Sequence, residues 1–330
     1  MLPGSQYEQC SFYRGHSGAG GEHASGGRCR TAVGSAVAQQ LAGDGGDVVV
    51  VTRTGTGPQV DGVRRVAGDA SDVDALLAAA PEAAAIYNCA NPAYHRWTQD
   101  WPPLATAMLD YAERTGAVLA ICSNLYGYGP VDGPMSEALP LATTGTKGRV
   151  RAQMWLDAKA AHDAGRIRAT EVRGSDYICA SESSLIGSSR VVPRILAGKS
   201  VSLIGSVTTE HTWTAPADAA RLLVAAAADE RGWGRAWHVP SNAPRTQRQV
   251  VDDLADTAGV PHVKVSSMPP ALLKVLGVFS PTIRELAETS YQRDRPFVVD
   301  DSAARVAFGL EPTPWPDILS GIIEEYRHGD

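Results

Sequence analysis

The chain has 330 residues and a mass of 34.8 kDa, with 44% hydrophobic and 20% charged residues. These values are typical of a globular protein with one large α/β domain or two modest ones, and they exclude a disordered, collagen-like or coiled-coil chain. The formal net charge is -6. This balance does not favour a nucleic-acid or anionic-membrane partner, so we expect a small-molecule partner.

The cysteines and the apolar segments indicate the compartment. Five cysteines spread along the chain are a poor basis for a disulfide framework and favour a reducing environment. The sequence has no apolar stretch long enough to cross a membrane and no secretory signal pattern, so we expect a cytoplasmic protein. Cys10, His16, His23 and Cys29 are zinc-binding residue types. Their spacing lacks the close pairs of a structural zinc site, and we expect no metal.

The predicted elements begin after an unusual N-terminal segment. Residues 1–32 are rich in Gly, Ser and His, which predicts an irregular arm. Val33, Val37 and Leu41 then recur at helical spacing. The run Val48–Val51 is typical of a strand buried on both faces of a parallel sheet. Further strands are predicted at 85–87, 117–121 and 167–172, and helices at 71–80, 101–113 and 147–164.

This alternation of strands and helices predicts a doubly wound parallel sheet over residues 33–175, with ligands bound beyond the carboxyl ends of the strands. After residue 175 the pattern loosens. We predict a smaller substrate or lid domain over residues 176–330, with segments that return to the sheet. Its predicted elements are a strand at 201–204 and helices at 215–228, 246–259 and 281–291.

Gly34, at the start of the first helix, either contacts a dinucleotide or only allows close packing of the helix on a strand. A dinucleotide fold places a Val/Ile-rich strand and two more glycines before it. This chain has Arg28, Cys29 and Thr31 at the corresponding positions. We therefore predict a degenerate first strand and a degenerate Gly-rich loop.

Two residues after predicted strands bear on nucleotide choice. Arg53 lies just past the valine run, where a basic side chain accepts the 2′-phosphate of NADP. The alternative is a solvated loop arginine. Asp69, next to Ala70, is placed to bond an adenine amino group, although Ser71 could simply cap the next helix. Arg53 favours NADP over NAD, whereas the adenine contact of Asp69 would be the same with either nucleotide.

The motifs follow the order of the extended short-chain dehydrogenase/reductase family, the NAD-dependent epimerases and dehydratases, which the chain resembles over about residues 33–325. The matching positions are Gly34, Arg53, Gly68-Asp69, Asn88-Cys89-Ala90, Ser123, Tyr126-Gly127, Lys147 and residues 211–219. The resemblance implies a Rossmann-like fold and a cofactor site at Gly34, Arg53, Asp69, Ala70, Cys89 and Ala90. It also implies hydride transfer at a carbonyl or hydroxyl group of a sugar or secondary metabolite.

The family uses a Ser to orient the substrate oxygen, a Tyr as acid/base, and a Lys four residues later that lowers the pKa of the Tyr. Lys147 fits, but Thr143 stands where the Tyr belongs. Counting back four residues from Tyr126 gives Cys122, so Ser123 fits only with a slip of one residue. The resemblance thus implies Ser123, Tyr126 and Lys147 as catalytic residues.

Other aromatic residues leave alternatives open. Tyr128 could supply the phenol instead of Tyr126, or both could be packed aromatics. Tyr94, Trp97 and His211 are predicted to line the substrate crevice, with simple packing as the alternative. We expect an NAD(P)-dependent enzyme that holds its cofactor weakly, and we allow for a homodimer. The alternative, which the degenerate loop and the missing Tyr favour, is a cofactor-free binding protein or a redox-neutral catalyst of the same fold.

Overall fold

The computed structural model describes residues 10–14, 33–269 and 285–328. The strands are β1 (Cys10–Arg14), β2 (Asp47–Thr52), β3 (Val63–Ala67), β4 (Ala85–Asn88), β5 (Val118–Asn124), β6 (Arg168–Gly174), β7 (Asp176–Tyr177), β8 (Val201–Leu203), β9 (Glu210–His211), β10 (Trp213–Thr214), β11 (Ala236–His238), β12 (Arg245–Thr246) and β13 (Val265–Ser267). The α-helices are α1 (Val33–Gly43), α2 (Val73–Ala79), α3 (Trp97–Thr115), α4 (Thr146–Asp163), α5 (Val192–Leu196), α6 (Pro216–Ala228), α7 (Gln247–Ala258), α8 (Tyr291–Asp294), α9 (Ser302–Phe308) and α10 (Trp315–His328). Short 3-10 turns lie at Tyr94–Arg96, Tyr126–Tyr128 and Glu230–Gly232.

A seven-stranded sheet, in the order β11, β6, β5, β4, β1, β2, β3, forms the centre of the protein. The pairs β2 with β3, β4 with β5, β5 with β6 and β6 with β11 are all parallel. Helices α1 and α6 cover one face, and helices α2, α3 and α4 cover the other. The predicted Rossmann-like, doubly wound fold class is therefore confirmed.

The valines of β2 explain why the sheet could be recognised in the sequence. Val48, Val49, Val50 and Val51 are all 0% exposed. Val49 and Val51 pack under α2 and α3, whereas Val48 and Val50 pack under α1 and α6. Side chains alternate between the two faces of a strand, so a strand that is covered on both faces needs an unbroken apolar run.

The expectation of an irregular arm is wrong for residues 10–14, which form β1 in the middle of the sheet. This strand is antiparallel to both neighbours, with Cys10 opposite Val51 of β2 and Asn88 of β4. Phe12 is fully buried, and its ring lies 5.1 Å from that of Tyr111 in α3. Burial of a Phe side chain contributes about 1.5–3 kcal/mol, which helps to hold a strand without Val or Ile.

The direction of β1 determines the edge of the sheet at which the chain leaves it. Because β1 is antiparallel, the chain exits after Arg14 at the amino edge of the parallel strands, opposite the edge where ligands bind. The predicted loop positions Arg28, Cys29 and Thr31 lie outside the described residues.

Most predicted helices are present with small shifts at their ends, and two details differ. The N-cap of α2 is Asp72, whose carboxylate accepts from the Asp74 amide at 2.9 Å, while Ser71 instead donates to Asp69. The helix predicted at 281–291 lies partly outside the described residues. Its described part forms turns at 286–290, and α8 begins only at Tyr291.

Residues after 176 also build a second hydrophobic core. Helices α5, α7 and α10 pack around β8 and β13, with fully buried side chains such as Ile195, Val250, Leu254 and Ile322. In contrast, α6 and β11 return to the main sheet. In the described part of the chain, no helix combines the length and apolar character needed to cross a membrane.

A network of buried polar side chains connects the neighbouring strands β6 and β11. The His238 side chain is fully buried, and its Nδ1 donates to the Asp300 carbonyl oxygen at 2.9 Å. The Tyr128 hydroxyl donates to His238 Nε2 at 2.7 Å and accepts from Arg173 at 2.6 Å. Glu137 Oε2 lies 3.9 Å from His238 Nδ1. These bonds fit a neutral imidazole.

The buried hydrogen bonds of His238 make the stability of the protein depend on pH. Burial lowers the pKa of His238 below its ordinary 6.5, although the Glu137 charge opposes the shift. The stability from this group is complete above the unfolded-state pKa and is lost as pH falls through the folded-state pKa, because only the unfolded chain takes up the proton. We expect the free energy of unfolding in urea to fall between pH 7 and pH 5, by up to about 1.4 kcal/mol per pH unit from this group.

His238→Gln should remove that part of the slope, and His328→Gln, at the exposed end of α10, should leave it in place. Equal slopes in the parent protein and in His238→Gln would contradict the assignment.

Candidate active site

Three predicted cofactor residues lie at the carboxyl edge, after β2 and β3. Arg53 is exposed directly after β2, and Asp69 and Ala70 follow β3. Hydrogen bonds from the Ser71 hydroxyl and amide, with a contribution from the Arg53 charge, lower the pKa of Asp69. Gly34 is buried in the first turn of α1, a helix that packs against α6. The structure thus brings Arg53 and Asp69 together and places Gly34 within the helix packing.

Cys89 and Ala90 follow β4 at the same edge. Ala90 is 5% exposed, and its amide donates to Asn88 Oδ1 at 3.3 Å. Cys89 is half-buried and packs beside α1. These residues therefore lie at the carboxyl edge, beside the strands that precede the predicted catalytic residues.

Two phenols lie beyond β4 and β5 and are supported by one indole. Tyr94 belongs to the turn after β4, and Tyr126 to the turn after β5. The Trp97 ring is edge-on to Tyr94 at 5.0 Å and stacks on Tyr126 at 5.9 Å. Trp97 is only 5% exposed, and its indole donates to the Pro92 carbonyl oxygen at 3.0 Å. It is therefore a packed support for the phenols and not the crevice-lining residue that was predicted.

The two hydroxyls are coupled. Tyr126 hydrogen-bonds the Tyr94 hydroxyl, which also lies 3.3 Å from Thr289 Oγ1. Burial raises the pKa of both phenols, that of Tyr126 well above 10. For Tyr94, the hydrogen bonds from Thr289 and Tyr126 and the Lys147 charge partly offset burial. Tyr94 is therefore the phenol whose ionisation Lys147 assists.

Lys147 lies in the first turn of α4 and is 4% exposed. Its ammonium is 4.7 Å from the centroid of the Tyr94 ring and makes a short ion pair with Glu285. Glu288 Oε2 lies 3.8 Å from the same nitrogen, and Glu288 Oε1 accepts the Lys147 amide at 2.6 Å. Thr143 carries no phenol, and its hydroxyl fills the space in front of Gly148. Two carboxylates therefore compensate the Lys147 charge.

A second polar cluster surrounds His211, which is 4% exposed. Its Nδ1 donates to the Gln292 carbonyl oxygen at 3.1 Å, and its Nε2 lies 3.2 Å from Asp176 Oδ2. The ring stacks on Phe297 at 5.2 Å. Burial would raise the pKa of Asp176, but the hydrogen bond and charge of His211 hold it below its usual value. The Asp176 charge also acts on Tyr126, so the two clusters adjoin.

Unpaired polar atoms lie beside His211. Gln247 Oε1 and Gln292 Nε2 are buried and have no hydrogen-bond partner among the described residues. Both side chains, with Arg293 and Arg295, line a shallow depression next to the imidazole. Buried polar atoms without partners are uncommon, and they indicate a place where a polar ligand or water binds.

The remaining candidates are separated by the faces of β5. Ser123 is 5% exposed and lies on the same face as Leu119 and Ile121, under α3 and α4, where Tyr94 and Tyr126 also pack. Cys122 lies on the opposite face, beside α1 and α6. Tyr128, the alternative phenol, is 2% exposed and bonded to Arg173 and His238. It is a packed aromatic.

Sequence reasoning missed Thr289, Glu285, Glu288 and Arg293 as parts of this site. Glu285, Glu288 and Thr289 lie in a segment predicted only as a helix at 281–291, and Arg293 follows that segment. Glu285 and Glu288 are three residues apart, which was a weak signal for two carboxylates with a common partner. Within 10–14, 33–269 and 285–328, no three His, Cys, Asp or Glu side chains come together as a metal site.

The chain was compared with known protein sequences and solved structures. A search of curated protein sequences finds no match. Among solved structures, DesIV, a dTDP-glucose 4,6-dehydratase from Streptomyces venezuelae, is similar with a TM-score of 0.69 at 20% identity, covering 90% of this chain and 94% of that one. The epimerase Mth375 from Methanothermobacter thermautotrophicus has a TM-score of 0.73 at 14% identity and 90% coverage of both chains. A UDP-galactose 4-epimerase has a TM-score of 0.68 at 14% identity, covering 91% of this chain and 96% of that one.

At these identities the solved structures establish the fold alone. The family comparison goes further, because residues 30–239, more than half of the chain, match the NAD dependent epimerase/dehydratase family. The matched segment contains the sheet from β2 to β11, both phenols and Lys147. The chain belongs to the NAD dependent epimerase/dehydratase family.

Proposed function

We propose that the chain is an NAD(P)-dependent enzyme that acts on a hydroxyl or carbonyl group of a sugar or sugar nucleotide. The observation that carries this proposal is the buried Lys147 ammonium beside two coupled phenols at the carboxyl edge of the sheet. Family membership supports it. DesIV was solved with NAD bound, and MoeE5, another similar structure, with UDP-glucose and NAD.

The residues at the adenosine end fit a dinucleotide. Arg53 offers an exposed guanidinium for a 2′-phosphate, and Asp69 is an exposed acceptor for an adenine amino group. At the other end, Lys147 would hold the nicotinamide ribose only after its ammonium exchanges Glu285 and Glu288 for the ribose hydroxyls. When bound, the nicotinamide supplies or accepts the hydride. We therefore expect the weak cofactor binding that the degenerate loop also predicts.

The chain itself must move the proton of the substrate oxygen, and we assign this step to Tyr94 in place of the predicted Tyr126. In one direction the Tyr94 hydroxyl gives its proton to the substrate oxygen, and the phenolate that forms accepts hydrogen bonds from Tyr126 and Thr289. Lys147 stabilises the same phenolate by its charge. Ser123, on this face of β5, is assigned to orient the substrate oxygen.

The His211 cluster is assigned to the substrate. Arg293 and Arg295 beside the imidazole favour an anionic group, and the unpaired Gln247 Oε1 favours a hydroxyl donor. A phosphorylated sugar carries both kinds of group. This chemistry is the reason for proposing a sugar nucleotide class of substrate.

Tyr94→Phe tests the proton assignment. We expect it to lower kcat/KM by about 10²–10⁴-fold, the usual contribution of general acid/base catalysis, without changing the Kd for NADPH. Tyr126→Phe removes one hydrogen bond to the charged phenolate and should cost about 10–100-fold, less than Tyr94→Phe. The measurement is NADPH consumption with keto-sugar nucleotides that the parent protein reduces. A larger loss in Tyr126→Phe than in Tyr94→Phe would return the assignment to Tyr126.

Arg53→Ala tests the choice of nucleotide. The parent protein should bind NADPH more tightly than NADH, and the variant should lose about 10–100-fold in NADPH affinity, since a hydrogen bond to a charged group is worth about 1.5–3 kcal/mol. NADH binding should not change, and Arg65→Ala, on β3, serves as a control. Calorimetric Kd values that are equal for both nucleotides in the parent would contradict the prediction.

A second candidate is a cofactor-free binding protein. The occupied Lys147 ammonium and Thr143 in the place of the Tyr favour it. This candidate predicts no heat of binding with millimolar NADPH or NADH, even when Glu285 and Glu288 are neutralised.

A further inference from the structure

Two cysteines lie opposite each other at the carboxyl edge. In the parallel pair β4 and β5, Asn88 is opposite Ile121, so the next residues, Cys89 and Cys122, are neighbours across the two strands. Adjacent strands are about 4.7–4.9 Å apart, which falls within the Cα separation of about 4.4–6.8 Å that a disulfide requires. Both side chains pack on the side of the sheet covered by α1 and α6. They are reduced, and the Cys89 thiol hydrogen-bonds Cys122.

The surroundings activate one of the two thiols. Tyr177 Oη lies 3.5 Å from Cys122 Sγ, and Arg151 donates to the Cys122 carbonyl oxygen at 2.5 Å. The hydrogen bond from Cys89, with help from Tyr177 and the Arg151 charge, lowers the pKa of Cys122 to about 7, against burial and the Glu171 charge. These contacts favour the thiolate of Cys122 over its thiol, and the thiolate is the reactive form.

The two cysteines of the pair are more exposed than a third cysteine, Cys179. Cys89 and Cys122 are both half-buried. Cys179 is 5% exposed and lies outside the pair, so it is a natural control in the same chain.

We propose that Cys89 and Cys122 form a reactive dithiol, which a hydroperoxide oxidises to a reversible disulfide between β4 and β5. The Cys122 thiolate attacks the peroxide, the O–O bond breaks, and the released alkoxide or hydroxide leaves as an alcohol or water after taking up a proton. The Cys122 sulfenic acid that results is attacked by the Cys89 thiol, which forms the S–S bond and releases water. Two electrons pass from the sulfurs to the peroxide, and a thiol reductant reverses the change.

This modification goes beyond the proposed function and does not depend on it. It is independent of the phenols, because Cys122 and Ser123 face opposite sides of β5. It nevertheless reaches the dinucleotide site, since Cys89 directly precedes Ala90 at the edge of β4. The disulfide would fix this segment to β5.

The test treats the full chain at pH 7 with hydrogen peroxide and maps its peptides without reduction. We expect a linked pair of peptides containing Cys89 and Cys122, a loss of two hydrogen masses, and full reversal by dithiothreitol. Cys89→Ser should leave a sulfenic acid on Cys122 that dimedone traps, and Cys122→Ser should abolish the reaction. Cys179→Ser should behave as the parent.

A second readout does not require oxidation. Alkylation of Cys122 by iodoacetamide should be about tenfold faster at pH 7 than that of Cys179, with a midpoint near pH 7, because Cys122 is more exposed and its lowered pKa favours the reactive thiolate. Absence of the linked peptides at excess peroxide, or the same alkylation rate for Cys122 and Cys179, would overturn the proposal. Irreversible oxidation of both thiols without a disulfide would overturn it as well.

Discussion

Neutralising Glu285 and Glu288 together, as Glu285→Gln and Glu288→Gln in one protein, is expected to tighten NADPH binding by about 10–100-fold. In the parent protein these carboxylates hold the Lys147 ammonium, so the cofactor must break that ion pair before Lys147 can bond the ribose. A hydrogen bond to a charged group is worth about 1.5–3 kcal/mol, which sets the size of the effect. Glutamine keeps an oxygen that can accept the Lys147 amide, and so the local backbone contact is retained.

Calorimetric titration with NADPH provides the measurement. The matched control is Glu113→Gln. Glu113 lies on α3 and pairs with Arg166 at the surface, so this substitution should leave the Kd for NADPH unchanged. If the double variant binds no better than the parent, the carboxylates do not compete with the cofactor. If neither protein binds at millimolar nucleotide, the cofactor-free candidate replaces the proposed function.

Glu171→Gln is expected to lower the free energy of unfolding by about 3–5 kcal/mol, more than any other single substitution proposed for this protein. Glu171 and Arg173 are 2% and 4% exposed, and the carboxylate accepts from Nε and Nη2 of Arg173, both at 2.6 Å. The Glu171 charge also stabilises the buried Arg151 guanidinium, which lies 4.5 Å over the Trp101 ring. Removing this one charge leaves two buried cations poorly compensated.

Urea denaturation at pH 7 measures the loss. Glu113→Gln again serves as the control, because its pair with Arg166 is about half exposed and such pairs contribute less than about 1 kcal/mol. Replacing Glu171 by Gln together with Arg173 by Met should recover part of the loss, since no cation is then left at that position. A cost of Glu171→Gln no greater than that of Glu113→Gln would mean that water reaches the pair.

Several parts of the fold follow from local sequence. The valine run of β2 is recognisable because burial on both faces removes any polar alternation. Helix α7 begins at the Thr246 capping box and ends at Gly259, in a left-handed conformation that favours glycine. Helix α4 begins at Thr146, one residue before the predicted Lys147, because the apolar spacing along a helix is also a short-range pattern.

The tertiary structure decided the features that depend on distant partners. The strand Cys10–Arg14 has no β-branched residue, and its place in the sheet comes from pairing with β2 and β4 and from burial of Phe12 against α3. Its antiparallel direction leaves no local trace, because a strand has the same side-chain alternation in either direction.

The same distinction holds at the site. The sequence by itself determined that a lysine opens α4, that a phenol follows each of two strands, and that the tyrosine expected before Lys147 is missing. Only the folded chain decided which phenol meets the lysine, because Glu285 pairs with Lys147 across 138 residues and the turn after β4 brings Tyr94 over the same ammonium. Contacts of that range are made by the packing of residues 285–293 against the turn after β4 and the start of α4, and no periodicity or motif encodes them.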